Sequence, residues 1–327
     1  MRIHCLGGGL VGSFVTKNLV NSGFEVHLYD IVSRDTEANF HLGDAMSFDH
    51  SIADLIVNML PGSIGGKATE LLKDSGQKIV DLSFSEQTPD RHNGIASSIL
   101  WDVGIAPGLS NMLVGMAFRE FGFLDKVTIK VGGNPLIPDS EWSYMAPFSP
   151  HDVIAEYTRP ARIVVDGKHT QVDAMSDLHT IDASGREMEA FLTDGLRSLL
   201  DIPATHMGEY TVRWPGHIQK YQQSKLTPDE LVDAWKLDPQ RQEFTWMEVF
   251  ISSGDEQQRW IVEDRGKNGD SSMARTTGLV TACCVKAWAE NQDMLSPGVH
   301  APEDLPDDVV RMVIDVMRSE GVSIELQ

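Results

Sequence analysis

Gly7, Gly9 and Gly12 punctuate "RIHCLGGGLVGSFVTKNLVNSG", and an acid, Asp30, closes the apolar run "EVHLYD" that follows. A G-x-G-x-x-G turn between an apolar run and a helically spaced stretch is the pattern that cradles a pyrophosphate. The first glycine permits a tight turn, the second lets the backbone approach the phosphates, and the third lets helix and strand pack closely. The helix opening there, with Leu10 and Val11 in its first turn, supplies N–H groups that lack an intrahelical acceptor. Asp30, about twenty residues past the turn, is spaced to accept hydrogen bonds from ribose hydroxyls. A carboxylate at that place disfavours a 2′-phosphate, so NAD is expected over NADP. Ser33 and Arg34 follow directly, however, and an arginine there could hold such a phosphate. The alternative is a structural glycine turn in some other α/β protein.

The elements around this turn alternate. "RIHCL" and "EVHLYD" read as strands flanking a helix that ends at Gly23. "DLIVNML" is a buried-type strand stopped by "PGS", and "GKATELLKDSG" is a helix. "KIVDLSF" and "SILWDVG" are further strands. Such alternation predicts a doubly wound parallel sheet of Rossmann type. In that architecture ligands lie beyond the carboxyl ends of the strands. Met59, Leu60 and Pro61 are therefore expected beside the dinucleotide, with Ser83 and Asp81 ending nearby; each could equally be an ordinary loop residue.

After the helical "APGLSNMLVGMAFREFG" the character changes. Strand-like runs succeed one another: "VTIKVGG", "EWSYMAPF", "ARIVVDGK", "EMEAFLTDG", "EYTVRWPG", "TWMEVFISS" and "QRWIVEDRG". Two helices interrupt them. One has Ser149 as N-cap and Pro150 in its first turn; the other has a capping box of Thr227 and Glu230. The expectation is an α+β domain with a mixed or antiparallel sheet over residues 111–271. The chain then turns helical again. "SSMARTTGLVTACCVKAWAEN" is small and apolar. "PEDLPDDVVRMVIDVMRSEG" places Val309, Val310, Val313, Val316 and Met317 on one stripe. These helices are expected to join residues 272–327 to 1–110 in the dinucleotide-binding domain.

Composition bounds the rest. A chain of 327 residues that is 41% hydrophobic has room for two cored domains. It carries 27 basic against 48 acidic side chains, a formal charge of −21. That excess, scattered rather than blocked, repels nucleic acid and anionic membranes. No apolar run is long enough to span a bilayer. Nor does the start read as a signal peptide. The three cysteines, Cys5, Cys283 and Cys284, form neither a disulfide framework nor a metal-binding spacing. A reducing cytoplasm and no bound metal are expected.

At "DVGIAPGLSN" (Asp102 to Asn111) the chain is seen to resemble the saccharopine dehydrogenase-like family, and within it the lysine 6-dehydrogenases. "GGGLVG", "MLPG", "VDLSF", "VGGNP", "SPHDVIAEYTRPARIVVDGK", "EAFLTDGLRSLL", "RWPGH" and "SSMARTTG" carry the resemblance in order along most of the chain. The resemblance implies NAD-dependent oxidative deamination of the side-chain amine of L-lysine. The product would be 2-aminoadipate semialdehyde, which cyclises, with ammonia released. It also implies a second domain that mediates oligomerisation, as a homodimer or homotetramer. A saccharopine-type enzyme acting on a secondary amine and a non-catalytic NAD-binding protein are the competing readings.

Amine oxidation of this kind needs a base, because the amine must lose a proton before hydride leaves its carbon. Asp102, Asp81, Glu86 and His217 are the candidates. Asp102 precedes the "GIAPG" turn, where it could reach the crevice or merely brace the turn. His217, after "RWPG", could shuttle protons near neutrality or be structural. An amino-acid carboxylate calls for an arginine, which grips it with two parallel bonds. Arg159, Arg162, Arg197 and Arg213 lie in the resembling segments; Arg213 and Arg159 are the first choices, with surface ion pairs as the alternative. Asp194 or Glu189 would take the α-ammonium. Gly108 would let a ligand approach the N–H groups of the helix that begins near Leu109.

Overall fold

The computed structural model describes residues 1–86, 88 and 94–327. The chain folds as two compact units: Met1–Met112 with Ala274–Met317, and Leu113–Met273 with Arg318–Gln327.

The chain begins with β1 (Arg2–Leu6), α1 (Leu10–Asn21), β2 (Glu25–Asp30), β3 (Asn39–Leu42), β4 (Leu55–Asn58), α2 (Gly62–Leu72), β5 (Lys78–Asp81), β6 (Ser98–Leu100) and α3 (Leu109–Phe121). Then come β7 (Leu124–Pro135), α4 (Pro150–Thr158), β8 (Ala161–Val165), β9 (Lys168–Val172), β10 (His179–Asp182), β11 (Glu187–Thr193) and β12 (Ala204–Arg213). The rest is α5 (His217–Gln223), α6 (Pro228–Ala234), β13 (Glu243–Ser253), β14 (Glu256–Arg265), α7 (Ser272–Glu290), β15 (Gly298–His300), α8 (Asp307–Ser319) and β16 (Ser323–Leu326).

The first unit is built on a seven-stranded sheet in the order β15-β6-β5-β4-β1-β2-β3. Every pairing in it is parallel, the Rossmann-type arrangement expected. β4 is wholly buried, as its unbroken apolar run requires when both sheet faces are covered. Gly23, at φ +84°, ends α1 in the left-handed conformation that suits glycine. The small residues of α7 serve close packing: a Cβ on Gly278 would lie 2.4 Å from Phe14 of α1. α8 buries Val310, Val313, Ile314 and Met317, with its acids in the first turn. β3 and β15 have no strand signal in the sequence, being four and three residues long.

One face of β1–β3 carries His4, His27, Tyr29 and His41, covered by His50 and Phe48. His50 Nε2 donates to the Ala45 carbonyl at 2.8 Å, so its bare Nδ1 accepts from His4 Nδ1 at 2.9 Å. Burial, and then the neighbouring rings of His50, His27 and His41, push the pKa of His4 down to about 4.

The second unit holds a mixed sheet of nine strands. β10-β11-β12-β7-β13-β14-β16 form its main path, with β8 and β9 attached to β12. β12 and β7 run parallel, whereas β11, β13 and β14 join their neighbours antiparallel. Ser149 caps α4 and the Thr227–Glu230 capping box opens α6, both as expected. Two features depart from the sequence reading. "EWSYMAPF" is not a strand: Asp139 Oδ1 accepts from the N–H groups of Glu141 and Ser143, winding the chain into a turn with Ser143 at φ +50°. Trp142, Tyr144 and Ala146 then pack with Val153, Tyr157, Phe191, Ile218 and Trp235. The chain end also belongs here, because β16 pairs with β14; it does not stay with the rest of 272–327 in the dinucleotide unit.

Candidate functional site

In the first unit the glycine turn is fixed by backbone contacts. Gly7 sits at φ +94°, and a Cβ there would meet the Met59 carbonyl oxygen at 2.9 Å. A Cβ on Gly12 would lie 2.1 Å from the Gly7 oxygen, so only glycine lets α1 start this close. Gly9 differs: a Cβ there would meet nothing within 4 Å. The space over Gly9 is where a pyrophosphate would rest, facing the first-turn N–H groups at Leu10, Val11 and Gly12. Asp30 accepts from Gly8 N–H at 2.7 Å, Val32 N–H at 2.8 Å and Arg34 Nε at 3.1 Å. Burial works against its charge, but these bonds outweigh it and hold the carboxyl below its usual range. An ionised Asp30 with three bonds made keeps a lone-pair direction for a ribose hydroxyl. These residues fit a dinucleotide.

The neighbouring loops divide. Leu60 and Pro61 follow Met59 past the end of β4, and Pro61 leads into α2. Ser83 is instead buried beneath α2, where a Cβ on Gly65 would collide with its side chain at 2.1 Å. Asp81 is a strut: it accepts from the Thr69 hydroxyl, from Asn58 Nδ2 at 3.3 Å and from Ser83 N–H at 2.6 Å. Its burial raises its pKa. Asp102 lies buried in a left-handed conformation at φ +57°. Gly108 closes its own loop rather than opening a ligand path. A Cβ there would lie 1.9 Å from Gly104 O, and its N–H donates to Asn111 Oδ1 at 3.1 Å. The leading N–H groups of α3 are likewise used: Leu109 donates to Gly104 O and Ser110 to Ile105 O. The expected anion site at this helix start is filled by the chain itself.

In the second unit, chain-distant segments converge on Arg213. β12 delivers Arg213, α4 delivers Glu156 and Tyr157, the 142–146 segment delivers Trp142 and Tyr144, and α5 opens on His217. Arg213 is buried; its Nε donates to Tyr157 Oη at 2.8 Å, its Nη1 to Val212 O at 2.9 Å and its Nη2 to Tyr144 Oη at 3.4 Å. The guanidinium also stacks 4.4 Å from the Tyr144 ring centre. His217 Nδ1 is 3.0 Å from the Trp142 carbonyl, which can only accept, so Nδ1 carries the proton. Burial and then the charge of Arg213 lower the His217 pKa to about 3. Its Nε2 is therefore bare and accepts from Tyr157 O–H at 3.1 Å. One directed chain results, from Arg213 through Tyr157 and His217 to Trp142. The expected proton shuttle at His217 is corrected accordingly: the ring stays neutral and both nitrogens are engaged.

Arg159 is at the same end of α4 but points elsewhere, 3.2 Å from Asp194. Arg162 grips that carboxylate with two bonds of 2.7 and 2.9 Å. Asp194 is thus held between arginines rather than open to an ammonium. Glu189 accepts from Gly216 N–H at 3.2 Å and steadies the turn into α5. The sequence reading missed Glu156, Tyr157 and Tyr144. Burial raises Glu156 to about 7, although Arg213 and Arg159 pull the other way. Among the described residues, no three ligands are grouped to hold a metal, and no helix is long and apolar enough to cross a membrane.

Residues 104–227 match the family model of the saccharopine dehydrogenase C-terminal domain. The match spans a little over a third of the chain. Its fold aligns with apo saccharopine dehydrogenase (L-Glu forming) from Saccharomyces cerevisiae at a TM-score of 0.74 and 14% identity, over 100% of this chain and 99% of that one. A C. glutamicum DAP dehydrogenase in complex with DAP aligns at a TM-score of 0.49 and 12% identity, over 98% of this chain and 99% of that chain. The matched domain contains Arg213, Tyr157, His217 and Glu156.

Proposed function

We propose that this saccharopine dehydrogenase-like protein is an NAD-dependent amino-acid dehydrogenase that oxidises the side-chain amine of L-lysine to the semialdehyde. The observation carrying this reading is the buried Arg213, held by Tyr157, Tyr144 and the Val212 carbonyl. Three of its five N–H groups are used, and the remaining two match an amino-acid carboxylate. The glycine turn would hold the pyrophosphate and Asp30 the adenosine ribose; NAD is preferred to NADP because a 2′-phosphate would meet that carboxylate. When bound, the nicotinamide supplies the hydride acceptor. The protein's own tasks are to anchor the amino acid, to free the amine of its proton and to keep the carbon in place. Asp102 stays a candidate for substrate contact. Arg159, paired with Asp194, would act on substrate only through that ion pair. The buried free cysteines, Cys5, Cys283 and Cys284, suit a reducing cytoplasm, and a homodimer or homotetramer is the proposed assembly.

The full-length fold likeness favours one second reading, a saccharopine-type enzyme acting on a secondary amine. Near-ultraviolet absorbance of reduced nicotinamide, followed with NAD and a panel of amines, separates the two. Reduction with L-lysine alone supports the first. Reduction only with amino acids joined through a secondary amine selects the second, and tight NAD binding without turnover rejects both.

A further inference from the structure

Asp30 has a charged partner, and the two members of that pair are held very differently. Asp30 is 8% exposed and is fixed by the N–H groups of Gly8 at 2.7 Å and Val32 at 2.8 Å. Arg34 is 34% exposed and meets Asp30 through Nε alone, at 3.1 Å. Among the described residues that is its one hydrogen bond, so both Nη groups are left over. Turning the guanidinium would therefore leave the backbone bonds of Asp30 in place. The stem of Arg34 lies over the glycine turn. A Cβ on Gly8 would come 3.1 Å from Arg34 Cγ and 3.0 Å from Asp30 Oδ2, so a glycine at position 8 makes the room for the pair. The pair thus sits beside the turn that fits a pyrophosphate, at the place where the adenosine ribose is expected. Along the chain, Arg34 is the one lysine or arginine between Lys17 and Lys67. Asp30 is held ionised by its bonds and a guanidinium is always charged, so the two together are close to neutral. A 2′-phosphate arriving there meets little net negative charge, and the planar Nη face suits it with two parallel bonds.

We propose that Arg34 is a specificity-determining residue for the dinucleotide: it stays on Asp30 when the ribose carries a free 2′-hydroxyl and turns to the phosphate when the ribose is 2′-phosphorylated. NAD remains the tighter ligand, because Asp30 is fixed in place. Arg34 narrows the margin, so that NADP is bound as well. This rests on the dinucleotide-binding reading of the glycine turn and is independent of which amine is oxidised. The competing account is an ordinary surface ion pair, which contributes little and touches no ligand.

The test is titration calorimetry of the full-length protein with NAD and with NADP. Wild type should bind NADP about tenfold more weakly than NAD. Arg34→Ala should lose about a further tenfold for NADP and less than about threefold for NAD. Arg34→Lys, which keeps the charge but not the fork, should recover part of the NADP loss. A double variant separates contact with the phosphate from support of Asp30. Asp30→Ala combined with Arg34→Ala should bind NADP about tenfold more weakly than Asp30→Ala alone. No difference between those two, or equal losses of NAD and NADP in Arg34→Ala, overturns the assignment. AMP and adenosine 2′,5′-bisphosphate, which lack the nicotinamide half, should show the same contrast. A contrast confined to the whole dinucleotides overturns it too. A wild type that binds neither NAD nor NADP rejects the dinucleotide reading instead.

Discussion

The two units build their sites from different material. The glycine turn of the first is made of backbone: Gly7, Gly9, Gly12 and a helix start lie within one short stretch, tied to Asp30 at the end of the next strand. The cluster of the second is made of side chains from β12, α4, α5 and the 142–146 segment, brought together by tertiary packing. A backbone site depends on the absence of atoms, whereas a side-chain site depends on each hydroxyl and ring nitrogen having the right partner. The first should therefore fail through added atoms, and the second through removed ones.

The sharpest contrast lies within the turn itself. Gly12→Ala places a methyl group 2.1 Å from Gly7 O and should cost about 3 kcal/mol of stability, read by denaturant unfolding. Gly9→Ala meets nothing and should unfold within about 0.5 kcal/mol of wild type. It should still lose tenfold or more in NAD affinity by titration calorimetry. Equal unfolding losses for the two would break the backbone account.

In the second unit, Tyr157→Phe removes one oxygen and leaves Arg213 Nε and His217 Nε2 without their partner. A loss of about 1–3 kcal/mol in unfolding free energy is expected, with a raised KM for the amino acid. No change in either would mean that the chain of bonds does not hold the arginine.

pH should pull the two units in opposite directions. His4 falls from 6.5 to about 4 in the fold. The stability it contributes is present above about pH 6.5 and is lost as pH falls toward 4. Glu156 rises from 4.5 to about 7. Its contribution is full below about 4.5 and is lost as pH rises through 7. Each effect should be at most about 3 kcal/mol. Hydrogen exchange resolved by segment should show β1–β3 loosening in mild acid and α4 loosening above neutrality. Glu156→Gln should remove only the second effect.

The smallest expected effect is a matter of selectivity. Asp30→Ala should lower NAD affinity about tenfold, and NADP affinity less or not at all. Equal losses would mean that Asp30 acts only by bracing the Gly8 and Val32 N–H groups.

Much of the first unit was legible because its rules are local. Strand, glycine turn, helix and spaced acid follow one another along the chain, and the unbroken apolar run of β4 announces a strand buried on both faces. The loop after Asp102 was misread for a physical reason. Gly108 looked like a place for ligand approach, but the φ of +133° and the contact with Gly104 belong to the loop's own closure. Arg213 was found through the resemblance, without its partners. Tyr157, Tyr144 and Glu156 carry no local signal, since their use depends on what β12 and α5 bring to them. "EWSYMAPF" shows the same limit: it reads as one of a series of strand-like runs, but the Asp139 turn and burial around Trp235 decided otherwise.

The central claim is an amino-acid dehydrogenase in which Arg213 anchors the substrate through its carboxylate. The most direct measurement is steady-state reduction of NAD with L-lysine and with its decarboxylated analogue, cadaverine, in wild type and Arg213→Lys. The account predicts turnover with L-lysine in wild type, a far higher KM for cadaverine, and an Arg213→Lys variant whose KM for lysine rises about 100-fold while cadaverine is unaffected. Equal use of the two amines by wild type, or an equal loss for both in the variant, would contradict it.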